Sequence, residues 1–205
     1  MKRILLLAIA LCLVSAATVQ QNTDDLPTEG NIVQKMNYSD KTGSHQVILT
    51  QWTTDYIGNG GAKFLDANLR AYDYLLNGQP VLFWKIQDWQ KSCSEYMSVE
   101  AKFVEKSLRI TDLDHNGISE VWLMYRLRCA GDVSPATMKL IMHQGKSKYA
   151  MRGKTKSFDE GGSYTMDKAF ETLPRSMRDY AVDMWNEFIT GYAQVKALSN
   201  EETVF

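Results

Sequence analysis

The sequence predicts an α+β, β-dominant fold: an antiparallel meander sheet of about six to eight strands, with a C-terminal amphipathic helix packed on it. Three observations lead there. Apolar residues alternate with polar ones through much of the chain from Asn31 to Arg152. Turn-forming residues separate these runs. After Pro174 the apolar period changes from two to three and four residues.

The first strands form a hairpin. Ile32, Met36 and Tyr38 share one face, Asp40-Lys41-Thr42-Gly43 supplies turn residues, and Gln46 to Thr53 resumes around Val47, Ile48, Leu49 and Trp52. A glycine-rich loop follows from Asp55 to Gly61. Leu69 to Leu76 and Val81 to Ile86 flank Asn77-Gly78-Gln79-Pro80, and Asn-Gly between apolar runs is a strong turn signal. Ser98 to Thr111 reads as extended. Ile118 to Arg128 is the clearest strand: Val121, Leu123, Tyr125 and Leu127 alternate with Trp122, Met124 and Arg126. Both faces are partly apolar, which places it centrally. Thr137 to His143 and Lys148 to Arg152 make another hairpin around Gln144-Gly145-Lys146.

The helix is read from Met177, Tyr180, Ala181, Met184, Trp185, Phe188, Ile189 and Tyr192, which recur on one helical face. Pro174 stands near its start, where proline is tolerated. Asp179, Asp183 and Glu187 fall on the outer side, so the face lacks the lysine-rich character of a membrane-surface helix.

The N-terminus predicts export. Lys2 and Arg3 precede the apolar stretch Ile4 to Val14, and Ser15, Ala16 and Ala17 suit a signal-peptidase site. The stretch falls short of the roughly 20 apolar residues of a membrane span. Residues 1–17 therefore read as a signal peptide, 18–30 as a flexible leader, and 31–205 as one domain. The expected location is periplasmic or secreted. Cleavage near Ala17 discards Cys12 and leaves Cys93 and Cys129, which outside the cytoplasm are expected to form a disulfide. No later segment reads as transmembrane. With 23 Lys and Arg against 24 Asp and Glu, the chain lacks the basic surplus of a nucleic-acid binder.

The segment with most chemical content is Asp112-Leu113-Asp114-His115-Asn116-Gly117-Ile118-Ser119-Glu120. Oxygen side chains stand at loop positions one, three, five and nine: Asp112, Asp114, Asn116 and Glu120. Ile118, at position seven, would offer its carbonyl. Gly117 permits a sharp turn. Calcium takes 6–8 oxygen ligands, and such a loop can wrap it. An EF-hand would need glutamate at position twelve and helical flanks; Leu123 stands there, and the flanks read as strands. The loop resembles the calcium-binding hairpin loops of FG-GAP and VCBS-type repeats. Asn116 in place of the commoner aspartate, and the longer Glu120, depart from that pattern. The plain alternative is a turn rich in residues that favour turns.

A wider resemblance runs through Ile110-Thr111-Asp112-Leu113-Asp114, Glu120-Val121-Trp122, Cys129, Asp132, Ser134-Pro135, Met138-Lys139-Leu140 and Lys148 to Gly153. This set is similar to exported bacterial proteins labelled surface polysaccharide biosynthesis. The resemblance implies a part in cell-envelope glycan assembly and no particular reaction.

Other motifs are absent. GxxxxGK[ST] and GxSxG do not occur, and His45, His115 and His143 lack zinc spacing. Asp112-Leu113-Asp114 is also a DxD, but the exported β pattern disagrees with a nucleotide-sugar enzyme. Trp52, Tyr56, Trp84 and Trp89 are candidate ligand-contact aromatics, set against core packing as the ordinary role of strand aromatics. The favoured expectation is a non-catalytic envelope module, stiffened by calcium, that binds a glycan or protein partner. A periplasmic inhibitor of a hydrolase and a glycan-active enzyme are the alternatives.

Overall fold

The computed structural model describes residues 26–190. The signal peptide, most of the leader and Tyr192 lie outside them. The fold is β-dominant and antiparallel, with a C-terminal helix, and its strands divide between two face-to-face sheets.

The first sheet is a four-stranded meander of β1 (Asn31–Asp40), β2 (Gly43–Ile57), β3 (Lys63–Leu75) and β4 (Val81–Ser94), in that spatial order. The turn at 41–42 and the Asn77-Gly78 turn fall where turn residues cluster. The glycine-rich loop is shorter than expected, because β2 continues to Ile57 and pairs with Lys63.

The second sheet is built from β5 (Ser98–Phe103), β6 (Arg109–Thr111), β7 (Glu120–Ala130), β8 (Thr137–Gln144), β9 (Ser147–Lys154) and β12 (Tyr164–Met166). Its order is β12-β9-β8-β7-β5, with β6 also pairing β7. The extended stretch from Ser98 to Thr111 is thus two strands. A small hairpin, β10 (Lys156–Ser157) with β11 (Glu160–Gly161), precedes β12. A short helix α1 (Lys168–Glu171) leads to α2 (Arg175–Phe188), where Pro174 occupies the N-cap position.

The alternation in β7 explains the layering. Val121, Leu123 and Tyr125 face the first sheet and pack with Val47, Leu49, Leu69, Trp84 and Ile86. Trp122 and Met124 face the other way and pack under Met177, Ala181, Met184 and Trp185 of α2. Burying each large side chain completely contributes roughly 1.5–3 kcal/mol before entropy is counted, so a strand apolar on both faces belongs inside a three-layer stack. The helix covers the second sheet with the stripe read from its spacing.

The outer face of the first sheet is covered along β2 and β3, where Ile48, Thr50, Tyr72 and Tyr74 are buried, and exposed along β1 and β4. Leu26 packs there with Ile48, Tyr72 and Tyr74. Tyr74 donates its hydroxyl to the Pro27 carbonyl, and the Glu29 N–H donates to the Tyr72 hydroxyl at 3.0 Å. These contacts correct the expected leader over residues 26–30, which lie packed against the sheet. Cys93 of β4 and Cys129 of β7 form the expected disulfide, with Cα atoms 5.6 Å apart, and join the two sheets. Among the described residues no helix is long and apolar enough to cross a membrane.

Candidate metal centre

The acidic segment connects β6 to β7. His115 and Gly117 both take positive φ, 54° and 78°, which curls the chain tightly. Gly117 also leaves room for the end of the Lys41 side chain, which would have to shift if a Cβ were added. Asp112, Asp114 and Glu120 each offer an oxygen, and these atoms all lie within 4.8 Å of one another.

Each carboxylate is positioned by local bonds. Glu120 is fully buried; its Oε2 accepts the Thr111 hydroxyl at 2.6 Å and the Leu113 N–H at 2.9 Å. Thr111 in turn accepts the Trp122 indole N–H at 2.8 Å. Asp112 Oδ2 accepts the Gly117 N–H at 3.1 Å, while its Oδ1 is shielded from solvent and has no hydrogen-bond partner among the described residues. Asp114 Oδ1 accepts the Asn116 N–H at 3.2 Å.

A residue the sequence did not point to completes the cluster. Gln144 ends β8 directly opposite Glu120 in the β7–β8 ladder. Its amide nitrogen lies 3.0 Å from Asp114 Oδ2, 3.4 Å from Glu120 Oε1 and 3.5 Å from the Ile118 carbonyl. Loop positions three, seven and nine therefore converge on one electropositive group. Asn116 takes part differently: its Oδ1 accepts the Ile118 N–H at 2.7 Å and its NH₂ donates to Asp114 at 2.8 Å. Its amide must rotate to present oxygen to a cation.

The donor set fits a hard cation. Three carboxylates, the Ile118 carbonyl and the oxygens of two turnable amides are all oxygen chemistry. The unpartnered Asp112 Oδ1 is an acceptor removed from water, which costs free energy unless something supplies a positive partner.

The loop is also tied to the other sheet. Lys41, in the β1–β2 turn, donates its Nζ to the Asn116 carbonyl and its N–H to the Gly117 carbonyl at 2.9 Å. Asp40 Oδ2 accepts the Ser119 N–H at 2.8 Å. Asp40 Oδ1 accepts the Thr42 hydroxyl at 2.6 Å and its N–H at 2.7 Å. Burial alone would raise the Asp40 carboxyl; these bonds and the nearby His45 outweigh it and hold the group below the ordinary carboxylate range.

Behind this turn lies a buried polar chain. Thr42 Oγ1 is 2.7 Å from His45 Nε2, and His45 Nδ1 is 3.0 Å from Asp73 Oδ2. Hydroxyl, imidazole and carboxylate stand in the order of a nucleophile, base and orienting acid. The hydrogen count decides against that use. Thr42 has a single hydroxyl hydrogen, and an ionised Asp40 accepts it. The ring must then donate from Nε2, so it offers Thr42 no basic lone pair. Tyr38 stacks on His45 and donates its hydroxyl to Asp73 at 2.9 Å; burial first, then the Asp73 charge, push that phenol well above its usual range.

The candidate aromatics separate. Trp84 is a correction: it is 7 % exposed, lies between the sheets and stacks on His143 with ring centres 4.4 Å apart. A ring enclosed there cannot meet a ligand from solvent. Tyr56 is exposed on β2, stacked on Phe64 and bonded to Ser92. Trp52 and Trp89 line one cleft on the outer face of the first sheet. Comparison with protein-family models, with curated proteins and with solved structures finds no match.

Proposed function

We propose that this protein is a non-catalytic module of the cell envelope, stabilised by calcium at residues 112–120, that binds a glycan or protein partner in surface polysaccharide assembly. The observation that carries the calcium part is the convergence of Asp112, Asp114 and Glu120 within 4.8 Å, in a cluster whose Asp112 Oδ1 has no partner among the described residues. Asp112, Asp114, Glu120 and the Ile118 carbonyl would hold the ion, with Asn116 and Gln144 turning their amide oxygens inward. The ion would supply charge neutralisation to three crowded carboxylates, and with it rigidity at the junction of the two sheets.

Support for the envelope setting comes from the order of basic, apolar and small residues at the N-terminus and from the cysteine pair. The link to polysaccharide assembly is supported by the resemblance spanning Ile110 to Gly153. A non-catalytic role is favoured by the hydrogen count at Thr42 and His45. Calorimetry tests the calcium part directly. Millimolar calcium, the range of extracellular modules, raises the melting temperature of the native chain, and Asp112→Ala abolishes the rise. A melt unchanged by calcium removes this part of the reading.

A further inference from the structure

The outer face of the first sheet carries a second site. In the β2–β3–β4 register, Trp52, Asn68 and Trp89 stand in one row across three strands, and Thr50, Arg70 and Gln87 in the next. Adjacent strands lie about 4.8 Å apart, so the two tryptophans are rooted roughly 10 Å from each other. Between them is a cleft of about 230 Å³, room for one six-membered sugar ring.

The walls are preorganised. The Arg70 guanidinium sits 5.0 Å from the centre of the Trp52 ring, and the Gly30 backbone abuts the same indole so closely that a Cβ there would overlap it. Arg70 is itself paired with Glu29. On the other side Lys91 is held by Asp66 at 3.1 Å and by Asn68 Oδ1 at 3.2 Å. Trp89 is 48 % exposed although it lies within a strand. Its indole surface is therefore open at the mouth of the cleft to the apolar face of a ligand. Gln87 presents a side-chain amide that bonds to no described residue.

Charge decides the class of ligand. Arg70 is matched by Glu29, Lys91 by Asp66, and Asp88 by Lys139 at 2.5 Å. The cleft offers an apolar ring and amide groups, with no unmatched charge for an anionic polymer. We propose that it binds an uncharged pyranose unit of an oligosaccharide. The C–H face of the sugar lies on Trp89, the Arg70 guanidinium stacked on Trp52 closes the far side, and ring hydroxyls bond Gln87 and Asn68. This assignment rests on the binding-module reading above and names its ligand. It is physically separate from the calcium loop, since Trp52 is ten residues along β2 from the turn at Thr42, roughly 30 Å.

The test titrates the full-length chain with neutral oligomers of glucose, mannose, xylose and N-acetylglucosamine, and with oligogalacturonate as the anionic comparison. Binding is read by calorimetry and tryptophan fluorescence. At least one neutral oligomer binds with a Kd of about 1 mM or tighter. Trp89→Ala weakens it about tenfold or more, Gln87→Ala weakens it by a smaller factor, and both variants keep the native melting temperature. Asp112→Ala, which removes the calcium response, leaves sugar binding unchanged, so the two readings fail separately. Any of three results overturns the assignment: no neutral oligomer bound at about 10 mM, binding confined to the anionic oligomer, or binding indifferent to Trp89→Ala. Capture of a protein through Trp89 without sugar binding also overturns it.

Discussion

The carboxylate of Asp40, at the tip of the first hairpin, accepts the backbone N–H of Ser119, inside the acidic loop, at 2.8 Å. Seventy-nine positions separate them in the chain. This bond and the two from Lys41 join the end of one sheet to the candidate metal loop of the other.

Asp40→Ala should therefore be costly for a surface turn. It releases the Ser119 N–H, the Thr42 N–H and the Thr42 hydroxyl together. Bonds to a charged acceptor contribute about 1.5–3 kcal/mol each, not additively. The expected loss is about 3 kcal/mol by urea denaturation, with Asp40→Asn intermediate. A loss under about 0.5 kcal/mol, the range of ordinary surface substitutions, contradicts the clamp.

Acid should weaken the fold in two stages. His143 is buried against Trp84, and neither ring nitrogen has a partner among the described residues. Burial, then the charge of Lys148 across the ladder, lowers it from 6.5 to about 4. The unfolded chain takes up this proton near pH 6.5 and the native chain only near pH 4, so stability falls as pH drops between those values, by about 3 kcal/mol. Asp40 has a lowered carboxyl, so its contribution is lost at still lower pH, as the native group finally protonates. Urea midpoints at pH 7.5, 5.5 and 4.5 measure the first stage, and His143→Phe flattens it.

Gln144→Glu converts the amide at the centre of the loop cluster into a fourth carboxylate. Calcium affinity should rise by about tenfold, since affinity follows ligand charge. The calcium-free protein should melt lower, because four carboxylates then crowd one another. Isothermal titration calorimetry checks the first effect and a melt in chelator the second; equal affinities for both chains would show that Gln144 stands outside the coordination sphere.

The Cys93–Cys129 bond closes a loop with a sequence separation of 36. On the chain-entropy model this is about 4 kcal/mol of stability. Cys93→Ala with Cys129→Ala should lose that much in guanidinium denaturation, and reductant should lower the melting temperature of the native chain by a matching amount. Similar midpoints for oxidised and reduced protein would contradict the pin.

Much of this was open to sequence reasoning, for local reasons. The period of β7 marked it as an interior strand, though β8 holds the centre of the sheet, the helical spacing after Pro174 placed α2, and the loop oxygens stood at spacings that a tight turn brings together. The division into two sheets was hidden, because an apolar stripe on β2 looks the same whether it meets a helix or another sheet. Gln144 was hidden too: a glutamine at a hairpin end carries no signal until the ladder puts it across from Glu120. Trp84 was readable in part. It stands five residues from Trp89 on one strand, and an odd separation puts side chains on opposite faces. Only the choice of buried face needed the long-range fold.

Because Glu120 begins β7 and Cys129 nearly ends it, the sandwich is fastened at both extremities of one strand. One fastener is a sulfur–sulfur bond, indifferent to ionic conditions; the other is a polar latch beside an acidic hollow. Sliding or peeling of the layers must first undo the latch, so the end bearing the first hairpin is where mechanical load would start to part them.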